Sequence, residues 1–308
     1  CSICVGLGQG LLHPMANAFI CQTWNGDARG KALGFKQSFN FIGDALVALC
    51  VGYLALTHWG NAFFIYLGVI PIFIFTQVLF PTGDLEKKLV SRESKLSGMK
   101  ALFSPRMIYL FALFFFAMMF LYVFNTNIAM LVKSRGLGTT ADVSKITFTV
   151  SIVSFLLGIA YGGVSKKLGR FTLAVGFCFL AAGMLTASFG QTFEVVAAGG
   201  VLFGIGLGIQ QISTIYYVSM TVNKSLVTIA ISVTVSFISL GATTSPVVIN
   251  GLQELIFGST APNQAMLIAG VGYLALVLIE GASTLSRRRK ASGCLGEEAS
   301  EALPDKAR

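Results

Sequence analysis

The chain contains nine apolar runs that reach, or nearly reach, the length of a membrane crossing. They lie near 3–23, 33–56, 62–80, 107–132, 144–164, 171–190, 195–221, 226–250 and 264–285. A helix needs about 20 residues to cross the hydrocarbon core, whereas a tilted barrel strand needs only about 10. These runs are too long for strands, and only helices satisfy the backbone in lipid without a closed barrel. Charged residues make up 11% of the 308 and hydrophobic ones 55%, so too little polar side chain exists to coat a soluble core. A soluble enzyme, a disordered chain and a secreted disulfide scaffold are thereby excluded. The expected fold class is an all-α membrane protein.

Placing the basic residues turns the net charge of +9 into an orientation. Nineteen Lys and Arg fall on one set of loops and the tail, and only Lys133, Arg135 and Lys145 fall on the other side. The positive-inside bias puts the first set in the cytoplasm, with anionic headgroups rather than nucleic acid as their partner. The charged segment 81–106 divides the chain into 1–80, three helices of a first lobe, and 107–286, six helices of a second. Residues 287–308 are polar and mixed in charge, and read as a disordered cytoplasmic tail. The six cysteines are scattered, and Cys1 and Cys4 form a single C-x-x-C without histidine neighbours. No metal site or cofactor is expected.

Sliding the chain on itself by 198 residues superposes Gly6, Gly8 and Gly10 on Gly204, Gly206 and Gly208. The same shift brings Thr23 and Asn25 onto Thr221 and Asn223, Ala32 onto Ala230, Ser38-Phe39 onto Ser236-Phe237, and Gly43 onto Gly241. Such parallel repeats build two lobes around a central site in many carriers. With them, GLGQGLLHP (6–14), ARGKALG (28–34) and GGVSKKLGR (162–170) make the chain similar to the major facilitator superfamily. The resemblance spans residues 1–290 and implies a two-lobe helical bundle of the family's fourth to twelfth helices, with three more expected upstream of Cys1. It implies a loop in which Gly162, Lys167, Gly169 and Arg170 match the family's Gly-x-x-x-Asp-Arg/Lys-x-Gly-Arg/Lys pattern and serve as a cytoplasmic gate or headgroup anchor. Lys166 stands where that pattern has its acid.

Ionisable groups at membrane depth are costly, which makes them functional candidates. Asp44 lies roughly 19 Å into its helix at 1.5 Å per residue. Lys36, Asn40 and Asp44 recur at i, i+4 and i+8, one stripe facing a wet cavity or a partner helix. Asp44 is the candidate proton-coupling carboxylate. His13, which precedes Pro14 and aligns with Gln211 in the repeat, is the second candidate. Gln210, Thr214, Tyr217 and Thr221 form another stripe, and Tyr122 and Asn125 cluster on the first helix after the 81–106 loop. Each of these sets lines a substrate cavity or forms a polar seam between helices. Glu194, Glu254 and Glu280 lie near helix ends and read as snorkelling anchors.

The resemblance implies a secondary carrier rather than an enzyme, working by alternating access on a small-molecule substrate. Its proton-coupled efflux members are the closest in character, with lipophilic, drug-like compounds as cargo. A sugar or organic-anion carrier is the alternative, and a membrane-embedded enzyme a more distant one. A monomer in the plasma (inner) membrane is expected, with the C-terminus cytoplasmic, protons as coupling ion and the bilayer as its other partner.

Overall fold

A computed structural model describes residues 2–57, 60, 64, 67–79 and 103–301. These form nine α-helices and, among the described residues, no strand. They are α1 (Ser2–Thr23), α2 (Gly26–Thr57), α3 (Val69–Leu79), α4 (Pro105–Ser134), α5 (Thr140–Leu168), α6 (Thr172–Phe189), α7 (Phe193–Thr221), α8 (Val227–Phe257) and α9 (Pro262–Glu301). Five apolar stretches between 105 and 286 meet the length and composition of a membrane crossing; one of them, Ala141–Phe189, holds both α5 and α6. The turn that divides it starts at Gly169, whose φ of +53° lies where a side chain would be strained.

The run at 62–80 is helical over Val69–Leu79, and positions 62–63, 65–66 and 80 lie outside the described residues. The backbone of α9 continues to Glu301, through most of the segment read as a disordered tail. Its Arg, Lys, Ala and Glu are strong helix formers, a local preference that an argument from missing hydrophobic burial overlooks. The segment 81–106 lies outside the described residues up to 102.

Helix ends follow local chemistry. Ser104 caps α4 by accepting the Met107 N–H, with Pro105 in the first turn, where its missing N–H costs nothing. At the start of α5 the Asp142 carboxylate accepts the Thr139 backbone N–H at 2.8 Å and the Lys145 ammonium at 2.9 Å. Arg135 reaches across to the last turn of α6 and donates to the carbonyls of Ala187, Ser188 and Gly190. A guanidinium there satisfies carbonyls the helix leaves open and complements its dipole.

Helix α7 is the hub of the 103–301 lobe, wedged between α5 and α6, and its glycines explain why it fits. A Cβ on Gly204 would meet the Val150 carbonyl at 2.8 Å and one on Gly208 the Leu157 Cβ at 3.0 Å, both on α5. A Cβ on Gly206 would meet the Gly176 carbonyl of α6 at 2.7 Å. Residues i and i+4 share a helix face and i+2 points away. Gly-x-Gly-x-Gly therefore opens two opposite faces to close backbone approach. Ser154 ties the α5 side by donating to the Gly204 carbonyl at 2.8 Å. Phe124 stacks on Phe203 with centroids 4.0 Å apart.

The lobes meet along α2 and α5, with α1 against α8. Gly30, Gly34 and Ser38 recur every fourth residue on α2, and Gly158 and Gly162 do so on α5. A Cβ on Gly34 would strike the Gly158 carbonyl, and one on Gly158 the Ser38 hydroxyl. Ser38 donates to its own helix at Gly34 and across the seam to the Phe155 carbonyl, 3.0 Å in each case. Small residues at this spacing are what lets helices associate in lipid. By contrast, a Cβ on Gly43 meets nothing within 4 Å. Gly34→Ala should therefore lower stability by about 1–3 kcal/mol as an overpacking change. Gly43→Ala should be neutral or stabilising by up to about 1 kcal/mol. Thermal unfolding of the purified chain in detergent, read by circular dichroism, separates the two signs.

Candidate functional site at the basic end of the bundle

At the end carrying the basic loops, the lobes are joined by polar contacts of unequal weight. Asp27 pairs with Lys166 at 2.9 Å, but the two side chains are 66% and 58% exposed, so the pair is worth at most about 1 kcal/mol. Lys166, which breaks the family pattern in its own loop, thus finds its acid on the other lobe. Arg29 is only 4% exposed. Its Nε donates to the Trp24 carbonyl at 3.0 Å, and its Nη1 to the Ser219 carbonyl and hydroxyl at 3.0 and 3.1 Å. Ser219 lies in the last turn of α7, where a cation is favoured by the helix dipole. Gln22 adds a bond from its Nε2 to the Thr228 hydroxyl at 2.8 Å.

Behind these contacts lies a cavity of about 510 Å³, within the range of drug-sized ligand sites. Helix α2 supplies Asp27 and Gly30, the first turn of α4 supplies Arg106, and the end of α5 supplies Gly162, Ser165 and Lys166. Gly169 and Arg170 of the following turn, Tyr216, Tyr217 and Met220 of α7, and Glu280 and Thr284 of α9 complete the wall. Tyr217 donates to the Arg170 carbonyl at 3.2 Å. The side chain of Lys31 lies where a Cβ on Gly162 would sit. Four residues singled out from the sequence (Gly162, Gly169, Arg170 and Tyr217) come together here; Lys167 is exposed beside them.

Glu280 overturns its sequence reading as a snorkelling anchor. It is 5% exposed, and its Oε2 accepts the Tyr109 hydroxyl at 2.5 Å and the Ser283 hydroxyl at 3.3 Å. The partner that buries it, Tyr109, is 171 positions away in the chain, so no local spacing announces the contact. Asp27, Arg29 and Arg106 were likewise legible only as loop charges.

The other candidates lie elsewhere. Gln210 is buried and accepts the Tyr273 hydroxyl at 3.1 Å, while Tyr273 also donates to the Ala117 carbonyl. It is thus part of a seam joining α4, α7 and α9. Thr214 donates back to the Gln210 carbonyl at 2.9 Å, and Gln211 is half-buried. Tyr122 and Asn125 are exposed on α4. Their neighbours Thr126 and Asn127 instead line a cavity of about 230 Å³ at the opposite end, with Asn250 and Gln253 of α8. Lys36, Asn40 and Asp44 do share one face of α2, but it is the face turned away from α5. Asn40 and Asp44 are exposed there, and Asn40 donates to the Gln37 side-chain oxygen at 3.4 Å. The side chain of His13 is also outside them. Among the described residues, no three His, Cys, Asp or Glu gather as a metal site.

Cys21 is fully buried beside Arg29 and Ser219 and reports on this closure. Arg29→Ala leaves the Ser219 carbonyl without its donor, at a cost of about 1–3 kcal/mol. Alkylation of Cys21 by a small membrane-permeant maleimide, followed peptide by peptide by mass spectrometry, should accelerate about tenfold or more. The exposed Cys50 and Cys178 should react as before, and an unchanged Cys21 rate would dismiss Arg29 as a closing contact.

The fold resembles solved structures, among them the crystal structure of the human organic anion transporter MFSD10 (TETRAN). That match has a TM-score of 0.69 and 14% identity, and it covers 86% of this chain and 66% of that one. The chain thus spans just under two thirds of that protein. No curated protein sequence matches it. The family model described as Major Facilitator Superfamily matches residues 1–246, four fifths of a chain whose helices already stand as two lobes. This multi-pass membrane protein belongs to the Major Facilitator Superfamily.

Proposed function

We propose that the chain is the greater part of a secondary active carrier that moves a small solute by alternating access, with a proton as coupling ion and export of lipophilic compounds as its task. The observation that carries this reading is the basic-end closure. A cavity large enough for a drug-sized molecule lies between two lobes held by a small-residue seam, one buried arginine and one exposed ion pair. Contacts of this strength suit a boundary that opens and closes, because conformational equilibria in proteins turn on a few kcal/mol. The positive-inside bias supports placing this end in the cytoplasm, which would leave the described arrangement closed to the inside.

A second reading rests on the charges of the cavity wall. Arg106, Lys166 and Arg170 stand against Asp27 and Glu280. Asp27 is taken up by Lys166 and Glu280 by hydroxyls, so the two guanidiniums are what the wall offers a solute. Guanidinium is the side chain suited to carboxylate and phosphate, and this favours an organic anion as cargo. The structural likeness to a protein titled an organic anion transporter agrees with it.

Proteoliposomes carrying the purified chain under an imposed pH gradient distinguish these readings. Gradient-driven movement of a lipophilic cationic dye supports the export reading, and movement of an aromatic carboxylate supports the anion reading. For an anion cargo, Arg106→Gln with Arg170→Gln should lower carboxylate flux by about tenfold or more, the scale of losing two charge-assisted hydrogen bonds. Dye flux should then change little. If neither probe moves in any variant while the chain remains folded, the carrier assignment fails.

A further inference from the structure

We propose that the cavity of about 230 Å³ at the end opposite the basic loops is a binding site for a small uncharged polyhydroxylated molecule, of the sugar or polyol class. It is built within the second lobe alone, so it is separate from the interlobe cavity and depends neither on the carrier reading nor on its cargo. Helix α4 lends Thr126 and Asn127, α8 lends Asn250 and Gln253, and the turn before α9 lends Thr260 and Ala261. The volume falls below the roughly 300–1,000 Å³ of drug-sized sites and suits one small solute. Hydrogen bonds fix both ends of it. Ser245 donates to the Met119 carbonyl at 2.6 Å and ties α8 to α4. Gln253, 2% exposed, donates from its Nε2 to the Ala261 carbonyl at 2.7 Å and holds the turn. A site fixed before its ligand arrives loses little binding free energy to ordering.

What these bonds leave over identifies the ligand. Asn127 spends its Nδ2 within α4, on the Val123 carbonyl and the Thr126 hydroxyl at 3.0 Å each, and its side-chain oxygen remains. Gln253 uses one N–H on Ala261 and keeps the other together with its oxygen. Asn250 is exposed, and among the described residues no hydrogen bond occupies its carboxamide. The wall therefore offers three carboxamide oxygens and three N–H donors. Among the described residues no charged side chain lines it. A hydroxyl both donates and accepts, so a molecule with several neighbouring hydroxyls engages both halves of each carboxamide. An ion would leave water without a counter-charge, and a hydrocarbon would strand the amides. Val123, Met130 and Ile249 give the C–H face of a sugar ring an apolar surface. The same hydroxyls occur on free sugars and on glycolipid headgroups.

Saturation-transfer NMR on the purified full chain in lipid nanodiscs, free of glycoside detergent, reads this binding whether or not the chain carries a solute across a membrane. D-glucose and myo-inositol should bind. Asn250→Ala, which removes no bond of the fold, should weaken that binding by about tenfold, the scale of two neutral hydrogen bonds, with thermal unfolding unchanged. Arg106→Gln with Arg170→Gln, at the other end of the bundle, should leave it as it is. A monoglucosyl diacylglycerol added to the nanodisc separates the two sources of the hydroxyls. Loss of the free-glucose signal assigns the site to a lipid headgroup, and an undiminished signal assigns it to a dissolved solute. The proposal is overturned if neither glucose nor inositol binds at about 100 mM, well above the millimolar range of weak sites. It is overturned equally if Asn250→Ala binds them as the unaltered chain does, or if acetamide binds and they do not.

Discussion

Apolar helices in lipid gain nothing from leaving the lipid, since the acyl chains are as apolar as they are. Their association rests on close packing of backbones. In this chain that constraint is met at the seam of α2 and α5, where Gly34 and Ser38 pack against Gly158. Every longer contact between the lobes takes its register from this approach. Arg29 precedes Gly30, and Lys166 follows Gly162 by one turn. The guanidinium reaches the end of α7, and the Asp27 carboxylate reaches Lys166, because the two backbones beneath them nearly touch. A side chain in the seam would separate the elements that carry these charges by more than a hydrogen bond can span.

The internal repeat places Gly6, Gly8 and Gly10 on Gly204, Gly206 and Gly208, but the environments diverge. In α7 the three glycines sit against α5 and α6, at distances a Cβ could not tolerate. In α1 a Cβ on Gly8 or Gly10 meets nothing within 4 Å. The pattern therefore describes a helix made for two close neighbours, and only the copy in the second lobe has both among the described residues. Sequence periodicity records the capacity for such packing; the neighbours decide whether it is used.

Much of the architecture was legible in the sequence because lipid leaves few options. Long apolar runs had to be helices, and glycine turns such as Gly169 marked where they end. The cluster of Gly162, Gly169 and Arg170 was readable as a cytoplasmic loop, a gate or a headgroup anchor, but not as a wall of the cavity that it shares with α2. The small-residue spacing Gly30, Gly34, Ser38 was present as well, and it was the signal that could have located the seam. What could not be read was pairing over long separations. Glu280 looked like an anchor because Tyr109 is remote in sequence, and Gln210 looked available because the tyrosine that occupies it, Tyr273, lies 63 positions away. The stripe of Lys36, Asn40 and Asp44 was a correct reading of helix geometry. It gave no information about which side of α2 meets α5, since a hydrophilic stripe and a glycine seam each define a face, and here they lie on opposite ones.

The inequality of the basic-end contacts bears on how such a boundary can work. The exposed Asp27–Lys166 pair, worth at most about 1 kcal/mol, cannot hold the lobes by itself. The buried Arg29 can contribute more, up to about 2 kcal/mol from the helix terminus it caps. Among the described residues that guanidinium has no carboxylate as a hydrogen-bond partner, only carbonyls, a hydroxyl and a thioether. Water can replace these neutral acceptors when the lobes part, so opening leaves no buried counter-ion behind. A hydrophobic seal or a fully buried ion pair would have fixed the lobes in one state. The polar arrangement found here holds the lobes by contacts of a few kcal/mol, the scale on which conformational equilibria turn.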